Sequence, residues 1–308
     1  MTKGRQTSGN IFYLPLPMKK LKKLIINADG FGFTHGINRA IFEVAEAGNI
    51  SSMSVNTNFS AVSELPAFHK QFPHISIGVH VNPVVGRPVL PPTIISSLLR
   101  TDGEFWGDRF PAQLQKGYIN LNELFQELLA QVQVVLDMGI PVTHLDSHQN
   151  QHLRPGFFPV FLKVAKTTGI KRMRTHRHFI CAEHNSPRIH AARYYATHMK
   201  TLILHLYTRY LMNRAERAGM RMADRLLSVG HSTGTKKDNL KVWESMLSNL
   251  PSGINEVYCH PAYVDDTLRQ YAKYYVVERR KERDVLVSPR FRQLLYKNDV
   301  DLISFHDI

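Results

Sequence analysis

The sequence predicts an α/β fold in which about seven parallel strands alternate with helices. Short apolar runs of β character recur along the chain, and most are followed by segments whose apolar residues repeat at helical spacing. With 308 residues, 43% of them hydrophobic and 21% charged, the chain can bury a large core. Strands joined by right-handed crossovers can form either a barrel or an open doubly wound sheet.

The individual elements follow in order from residue 23. The first strand, "KLIINAD", is a nearly continuous apolar run that ends in a polar turn, which is typical of a buried strand. The helix at 121–136 carries its apolar residues on one face, and Gly139 follows it as a C-terminal cap. Strands are predicted at 23–29, 52–58, 75–80, 142–146, 171–174, 254–260 and 300–305. Helices are predicted at 35–49, 61–72, 121–136, 157–169, 239–250 and 290–298.

Positive charge is concentrated in one region of the chain. The formal net charge is +14, and the segment 154–221 holds fourteen Lys and Arg against two Glu, a net +12. A long helix is predicted there with an apolar stripe, and we expect that stripe to be buried as a lid over the site. Such a basic region suggests an anionic partner: nucleic acid, a lipid surface or a phosphorylated substrate. The stripe consists of Tyr195, Met199, Leu202, Leu206 and Tyr210.

We interpret residues 1–22 as an N-terminal leader segment and 23–308 as a single domain with a basic helical insert at about 176–230. Prolines break the apolar patch near the N-terminus, and no small-residue cleavage site follows it, which argues against a signal peptide. Cys181 and Cys259 are too few for a disulfide framework. No apolar run reaches the ~18 residues of a membrane-spanning helix. These features predict a cytoplasmic protein.

Polar residues recur where predicted strands end. Asp29, His80 and His260 end three strands, and Asp146 with His148 ends a fourth. Because the carboxyl ends of parallel strands share one face, we expect a common site there. One carboxylate with two imidazoles is typical of a catalytic divalent-metal site that keeps positions open for water and substrate. The chain carries no P-loop, dinucleotide fingerprint or G-x-S-x-G motif. Attack of a metal-activated water on a carbonyl is therefore the leading chemistry.

Four separated segments carry a family resemblance: "LIINADGFG", "IGVHVN", "HLDSHQNQH" and "YCHPAYVDDTLR". Together they resemble the YdjC/ChbG/HpnK family of carbohydrate deacetylases over nearly the whole chain from residue 23. The resemblance implies a distorted (β/α) barrel, similar to a TIM barrel and often dimeric. It also implies metal-dependent removal of the N-acetyl group from an N-acetylglucosamine-type sugar, with release of acetate. Members act on chitooligosaccharides, on other such glycans or on glycosylated hopanoid lipids.

Carried over by position, the resemblance assigns roles to several residues. Asp29, His80 and His148 match the family's metal site, and Asp29 is also a candidate catalytic residue. His260 is placed to act as general acid towards the leaving amine, and Arg174 to orient a carboxylate or bind substrate. The remaining candidates are Asp146 and His144, which are expected to hold the metal ligands in place, and His152. We expect His152 either to face the substrate or to have a structural role.

One departure from the family pattern concerns position 30. The family has two adjacent aspartates where this chain has Asp29-Gly30. Asp29 could bind the metal, with Asp146 or a histidine as base, or it could stay the base while water fills the vacated position. The third alternative is a catalytically impaired member that binds a sugar. The resemblance favours Mg²⁺, whereas imidazole-rich ligation favours Zn²⁺ or another transition metal.

The partners follow from the same observations. We expect an N-acetylated amino sugar, lipid-linked or anionic if the basic insert recruits it, together with peripheral contact to a membrane surface and a homodimer. A nucleic-acid-binding protein is the alternative that the charge allows. It is disfavoured because no recognition motif is present and the aromatic residues of the insert lie at core-like helical spacing.

Overall fold

The computed structural model describes residues 21–180, 187–227, 239–271 and 276–308. Eight parallel strands form one curled sheet in the order β4-β3-β2-β1-β7-β6-β5, with β8 paired to β1. The strands are β1 (Lys22–Phe31), β2 (Ser52–Val55), β3 (Ser76–Val81), β4 (His144–Ser147), β5 (His178–Phe179), β6 (Arg225–Leu227), β7 (Gly253–Cys259) and β8 (Val300–Leu302). The predicted parallel α/β fold, a distorted barrel, is confirmed.

The two outer regions of the sheet approach each other through the segment 171–174. Leu145 in β4 forms an isolated parallel bridge with Met173, and Arg172 bridges Arg221, which precedes β6. The strand predicted at 171–174 is therefore present as two isolated bridges. The short strands β5 and β6 were not predicted, because two or three residues are too few to show an alternating pattern.

β1 lies at the centre of the sheet and forms its core. It pairs with β2, β7 and β8, and its residues from Leu24 onwards are buried on both faces. A strand covered on both sides needs apolar residues at successive positions, which explains the run "LII". Gly30, at an irregularity near the end of β1, and Gly32, in the turn after it, both have positive φ, and the chain enters the first helix at Thr34.

Helices surround the sheet. They are α1 (His35–Glu46), α2 (Leu65–Gln71), α3 (Phe110–Gln115), α4 (Leu121–Asp137), α5 (Phe157–Thr168), α6 (Pro187–Thr197), α7 (Met199–Arg217), α8 (Asn239–Ser248), α9 (Asp266–Tyr271), α10 (Val277–Leu286) and α11 (Pro289–Lys297). The Thr34 side chain caps α1 by accepting from Ile37 N, and Gly169 ends α5 in the left-handed conformation. Six of the predicted helices correspond to α1, α2, α4, α5, α8 and α11, and the long helix predicted in the basic region is divided at His198 into α6 and α7.

The predicted basic insert contains more than helices. The segment 176–230 supplies α6 and α7, but it also supplies β5 and β6, which belong to the sheet. Residues 1–20 of the predicted leader, Cys181 and the end of the insert beyond 227 lie outside the described residues. The domain boundaries at 22 and 23, and at 176 and 230, remain predictions.

The prediction that the apolar stripe of this segment is buried is wrong. Met199, Leu206 and Tyr210 are each more than half exposed. The face of α7 that packs on the protein carries a different set of side chains: Thr208, Leu211, Met212 and Ala215. Thr208 donates to the carbonyl of His176 at 2.9 Å, which holds this face against the sheet. In the described part of the chain, no helix is long and apolar enough to cross a membrane.

Candidate active site

The predicted site residues converge at the carboxyl ends of the strands. Asp29, His80, His148, Arg174 and His260 all line one pocket of about 830 Å³. They come from β1, β3, the turn after β4, the segment after α5 and the residue after β7. The expected shared edge therefore brings together residues that are up to 231 positions apart in the sequence.

Arg174 lies at the centre of the site and contacts three of its carboxyl groups. Its side chain is 1% exposed and its Nη1 donates to Asp29 Oδ2 at 2.7 Å, while Nη2 lies 2.5 Å from Asp29 Oδ1. Nη2 also lies 2.7 Å from Asp146 Oδ2, and Nε donates to Glu256 Oε1 at 3.1 Å. Three carboxyl groups thus surround one guanidinium, which raises the pKa of Arg174 despite the opposing effect of burial. The role expected for Arg174, to orient a carboxylate or to bind substrate, remains a prediction.

Asp146 orients His80. Its Oδ1 accepts from, or shares a proton with, His80 Nδ1 at 2.8 Å, and its Oδ2 accepts from Ser54 Oγ at 3.0 Å. Burial alone would raise the pKa of Asp146, but the charges of Arg174 and His80 lower it well below its usual range. With Nδ1 engaged, Nε2 is the His80 nitrogen free to bind a metal ion or a substrate.

A group of three side chains fits a divalent metal ion. Asp29, His80 and Asp146 each offer one ligand atom, and these atoms lie within 4.8 Å of one another. Two carboxylates with one imidazole suit a hard or borderline divalent cation. Both carboxylates also bind Arg174, so an ion at this position would share them with the guanidinium. The identity of the metal is not determined by this donor set.

His148, the third predicted metal ligand, lies beside this group without belonging to it. Its ring centre is 5.7 Å from that of His80 and 6.1 Å from that of Phe33, on which it stacks. Burial, with a smaller contribution from the charge of His80, lowers the pKa of His148 to about 3. The imidazole is therefore neutral at physiological pH, as metal ligation requires.

His144 and His152 do not line the pocket. His144 stacks on Phe305 with ring centres 3.8 Å apart, and its Nε2 lies 3.3 Å from Ser54 Oγ. His152 Nδ1 lies 2.6 Å from Ser147 Oγ, and its ring stacks on Phe161. Burial lowers the pKa of both imidazoles to about 3. Their contacts are structural: His144 supports Ser54 and thereby Asp146, and His152 fixes the turn after β4.

His260 lies close to Asp29 in the lining of the pocket. Its Nε2 is 3.9 Å from Asp29 Oδ2, and its Nδ1 is 4.0 Å from Glu282 Oε2. Glu282 also accepts the backbone N–H of His260. This places an imidazole with carboxylates near both nitrogens at the rim of the site, where it can exchange a proton with a bound molecule.

Sequence reasoning missed two carboxyl groups of the site, Glu256 and Glu282. Glu256 lies inside β7 and accepts from Arg174 Nε and from Thr175 N, and burial raises its pKa to about 7. Its charge in the middle of the apolar strand "INEVYC" was the available signal, since a buried acid needs a partner. Glu282 comes from α10, and nothing local in its sequence indicates that it reaches the site.

The backbone conformation at position 30 favours glycine. Its φ is +107°, which L side chains rarely adopt. A Cβ there would lie 3.6 Å from Ile37 Cγ2, an ordinary contact, so space alone would admit a side chain. No carboxylate can come from this position in the present chain, and Asp29 and Asp146 are the two aspartates beside His80.

Comparisons with known proteins identify the family. The sequence profile of YdjC-like proteins matches residues 23–297. The chain belongs to the YdjC-like family. A chitooligosaccharide deacetylase of Yersinia enterocolitica is 30% identical over 293 residues, which cover 93% of this chain and 99% of the relative. A carbohydrate deacetylase of Thermoanaerobacter pseudethanolicus is 25% identical over 285 residues, which cover 92% and 98% of the two chains.

The fold of this YdjC-like chain also occurs in a crystal structure. A proposed cellobiose-phosphate cleavage protein of Enterococcus faecalis superimposes with a TM-score of 0.73 and 23% identity. The match covers 93% of this chain and 98% of the other. At this identity the likeness establishes the shared fold alone.

Proposed function

We propose that this YdjC-like protein is a metal-dependent hydrolase that removes the N-acetyl group from an N-acetylglucosamine-type sugar and releases acetate. The observation that carries the proposal is the convergence of Asp29, His80 and His260 in the lining of one pocket. The names of the relatives, carbohydrate deacetylase and chitooligosaccharide deacetylase, support the same reaction.

One divalent metal ion would be held by Asp29 and His80, with Asp146 or His148 as the third ligand. Asp146 is favoured by distance and His148 by the family resemblance. When bound, the metal would polarise the acetyl carbonyl and lower the pKa of a coordinated water. Mg²⁺ is the first candidate by resemblance, and Zn²⁺ or another transition metal is the alternative.

The proton transfers fall to Asp29 and His260. Asp29 is held rigidly by Arg174 and by Asn27 Nδ2, which donates to its Oδ1 at 2.7 Å. Oδ1 already accepts from two donors, whereas Oδ2 accepts from Arg174 Nη1 and keeps a lone pair that can take a proton from water. His260, 3.9 Å from Asp29 Oδ2, would give a proton to the departing sugar nitrogen.

The walls of the pocket suit a sugar. Phe33, Trp106 and Tyr271 line it, and the rings of Phe33 and Tyr271 pack edge to face at 5.8 Å. Such aromatic faces can pack against the C–H side of a sugar ring. Charges of both signs also line the pocket: Arg100, Arg109 and Arg279 lie there with Asp108 and with Glu104, which pairs with Arg100. Such a lining could bind a phosphate-bearing sugar as well as a neutral one.

A catalytically impaired, sugar-binding member is the second candidate, and Gly30 favours it. With glycine at position 30, the site has one carboxylate fewer than the family pattern. The two that remain beside His80, those of Asp29 and Asp146, both contact Arg174. The pocket would still bind the sugar in that case, without turnover.

The test is acetate release from N-acetylglucosamine oligomers and from glycolipids that carry this sugar, with Mg²⁺, with Zn²⁺ and with chelator. We expect metal-dependent release that is lost in Asp29→Asn and His260→Ala and kept in His306→Ala, a histidine on the exposed surface. Metal content of His80→Ala, Asp146→Asn and His148→Ala identifies the ligands. Sugar binding by calorimetry without acetate release under any condition would establish the impaired protein and overturn the hydrolase.

A further inference from the structure

Helix α7 has apolar side chains on two opposite faces. Leu211, Met212 and Ala215 are buried against the protein. On the opposite side, four residues spaced three or four positions apart lie on one outward face, because such residues are neighbours on a helix. We call them the outer stripe: Met199, Ile203, Leu206 and Tyr210, whose exposed fractions are 56%, 63%, 58% and 55%.

The outer stripe concentrates exposed apolar side chains on one face of a helix. The described residues leave eleven large hydrophobic side chains exposed, and four of them form this one stripe. Contiguous exposed apolar surface on a globular protein marks an interaction site, whereas scattered single residues need no explanation.

Cations flank the outer stripe. Lys200, Arg209, Arg214 and Arg217 are exposed on α7. The acidic residue of this helix, Glu216, is engaged by both terminal nitrogens of Arg177. Across the described segment 187–227 there are eight Lys and Arg against Glu216 and Asp224. The surface around the outer stripe therefore carries net positive charge.

We propose that the outer stripe docks this protein on an anionic lipid bilayer, with α7 lying in the plane of the membrane surface. An apolar face bordered by Lys and Arg is the pattern of interfacial helices, in which the apolar side chains enter the acyl boundary and the cations meet lipid phosphates. Tyr210 suits this position, because its ring is apolar and its hydroxyl can stay among the headgroups.

A second copy of the chain is a poorer occupant of this face. A two-fold contact through the outer stripe would bring two surfaces of net positive charge together, and like charges across an interface oppose association. An anionic bilayer offers apolar and negative groups at the same surface. The proposal does not depend on the deacetylase reaction.

The test is co-sedimentation with vesicles of phosphatidylcholine, with and without phosphatidylglycerol, at low and at moderate salt. We expect binding to the anionic vesicles that weakens with salt. Arg209→Gln/Arg214→Gln/Arg217→Gln should weaken it roughly a hundredfold, since each cation near an anionic surface contributes about fivefold. Met199→Ser/Ile203→Ser/Leu206→Ser should weaken it at least about tenfold, since burial of each apolar side chain is favourable.

Matched controls separate docking from general charge and from folding. Arg280→Gln/Lys281→Gln/Arg290→Gln removes three exposed cations elsewhere, and Tyr296→Ser removes a side chain that is 70% exposed. Both should bind as the parent does, and all variants should keep its circular dichroism spectrum. Equal binding to neutral and anionic vesicles, or no effect of the α7 variants, would overturn the proposal. A third result would also overturn it: the parent does not bind vesicles but forms a dimer in sedimentation equilibrium, and Met199→Ser/Ile203→Ser/Leu206→Ser dissociates that dimer.

Discussion

Replacing Arg174 with methionine should destabilise the fold more than any surface charge change. The substitution keeps an unbranched side chain of similar length but removes the cation from among three buried carboxyl groups, those of Asp29, Asp146 and Glu256. Loss of one partner of a buried ion pair leaves uncompensated charge, which costs about 3–5 kcal/mol. We therefore expect Arg174→Met to lower the free energy of unfolding by about 3–5 kcal/mol at neutral pH.

The pH dependence of this loss has a definite sign. Without the guanidinium, the buried carboxyl groups have higher pKa values in the folded state than in the unfolded state. The folded variant then binds more protons at intermediate pH, so its stability falls as pH rises. The difference between Arg174→Met and the parent should accordingly be larger at pH ~8 than at pH ~5.

Urea unfolding followed by circular dichroism at both pH values measures this difference. Arg177→Met is the matched control, because Arg177 also makes a bidentate pair, with Glu216, at 2.7 and 2.6 Å. The Glu216 side chain is 46% exposed, and exposed pairs contribute at most about 1 kcal/mol. If Arg174→Met were as stable as Arg177→Met, the assignment of Arg174 as the electrostatic hub of the site would be wrong.

Two further predictions concern Glu256 and Gly30. The pKa of Glu256 is raised from 4.5 to about 7, so between these values the folded state holds the extra proton and stability falls as pH rises. In urea unfolding, the stability of Glu256→Gln relative to that of the parent should rise by up to about 3 kcal/mol from pH ~5 to pH ~8. If the difference in free energy of unfolding between the two proteins did not change with pH, the raised pKa would be contradicted. At Gly30, where φ is +107°, alanine should cost about 1–2 kcal/mol in the same assay because of backbone strain. Unchanged stability of Gly30→Ala would mean that the backbone there relaxes freely.

The sequence by itself determined six of the eight strands and the polar residues that four of them bring to the pocket. Asp29, His80, His148 and His260 were predicted to meet because the carboxyl ends of parallel strands share one edge, and all four line the same pocket. This prediction needs only the periodicity of each strand and the identity of the residue that ends it. The metal-binding roles of these residues remain predictions.

The tertiary structure alone decided which charges pair. Arg174 contacts Asp29 across 145 positions and Glu256 across 82 positions of the chain. Such pairing depends on how the sheet curls, and no local pattern encodes it. The same holds for β5 and β6, which form because neighbouring strands offer them backbone partners.

Helix α7 shows the same limit on the surface. Its apolar spacing predicted a stripe at Met199, Leu206 and Tyr210, and a helix with that stripe is present, but the stripe is exposed. Periodicity establishes that a face is apolar, because it depends on neighbours along one helix. Which face is covered depends on what the rest of the chain packs against it, and here the chain covers the side of Leu211 and Ala215 and leaves the other side to solvent.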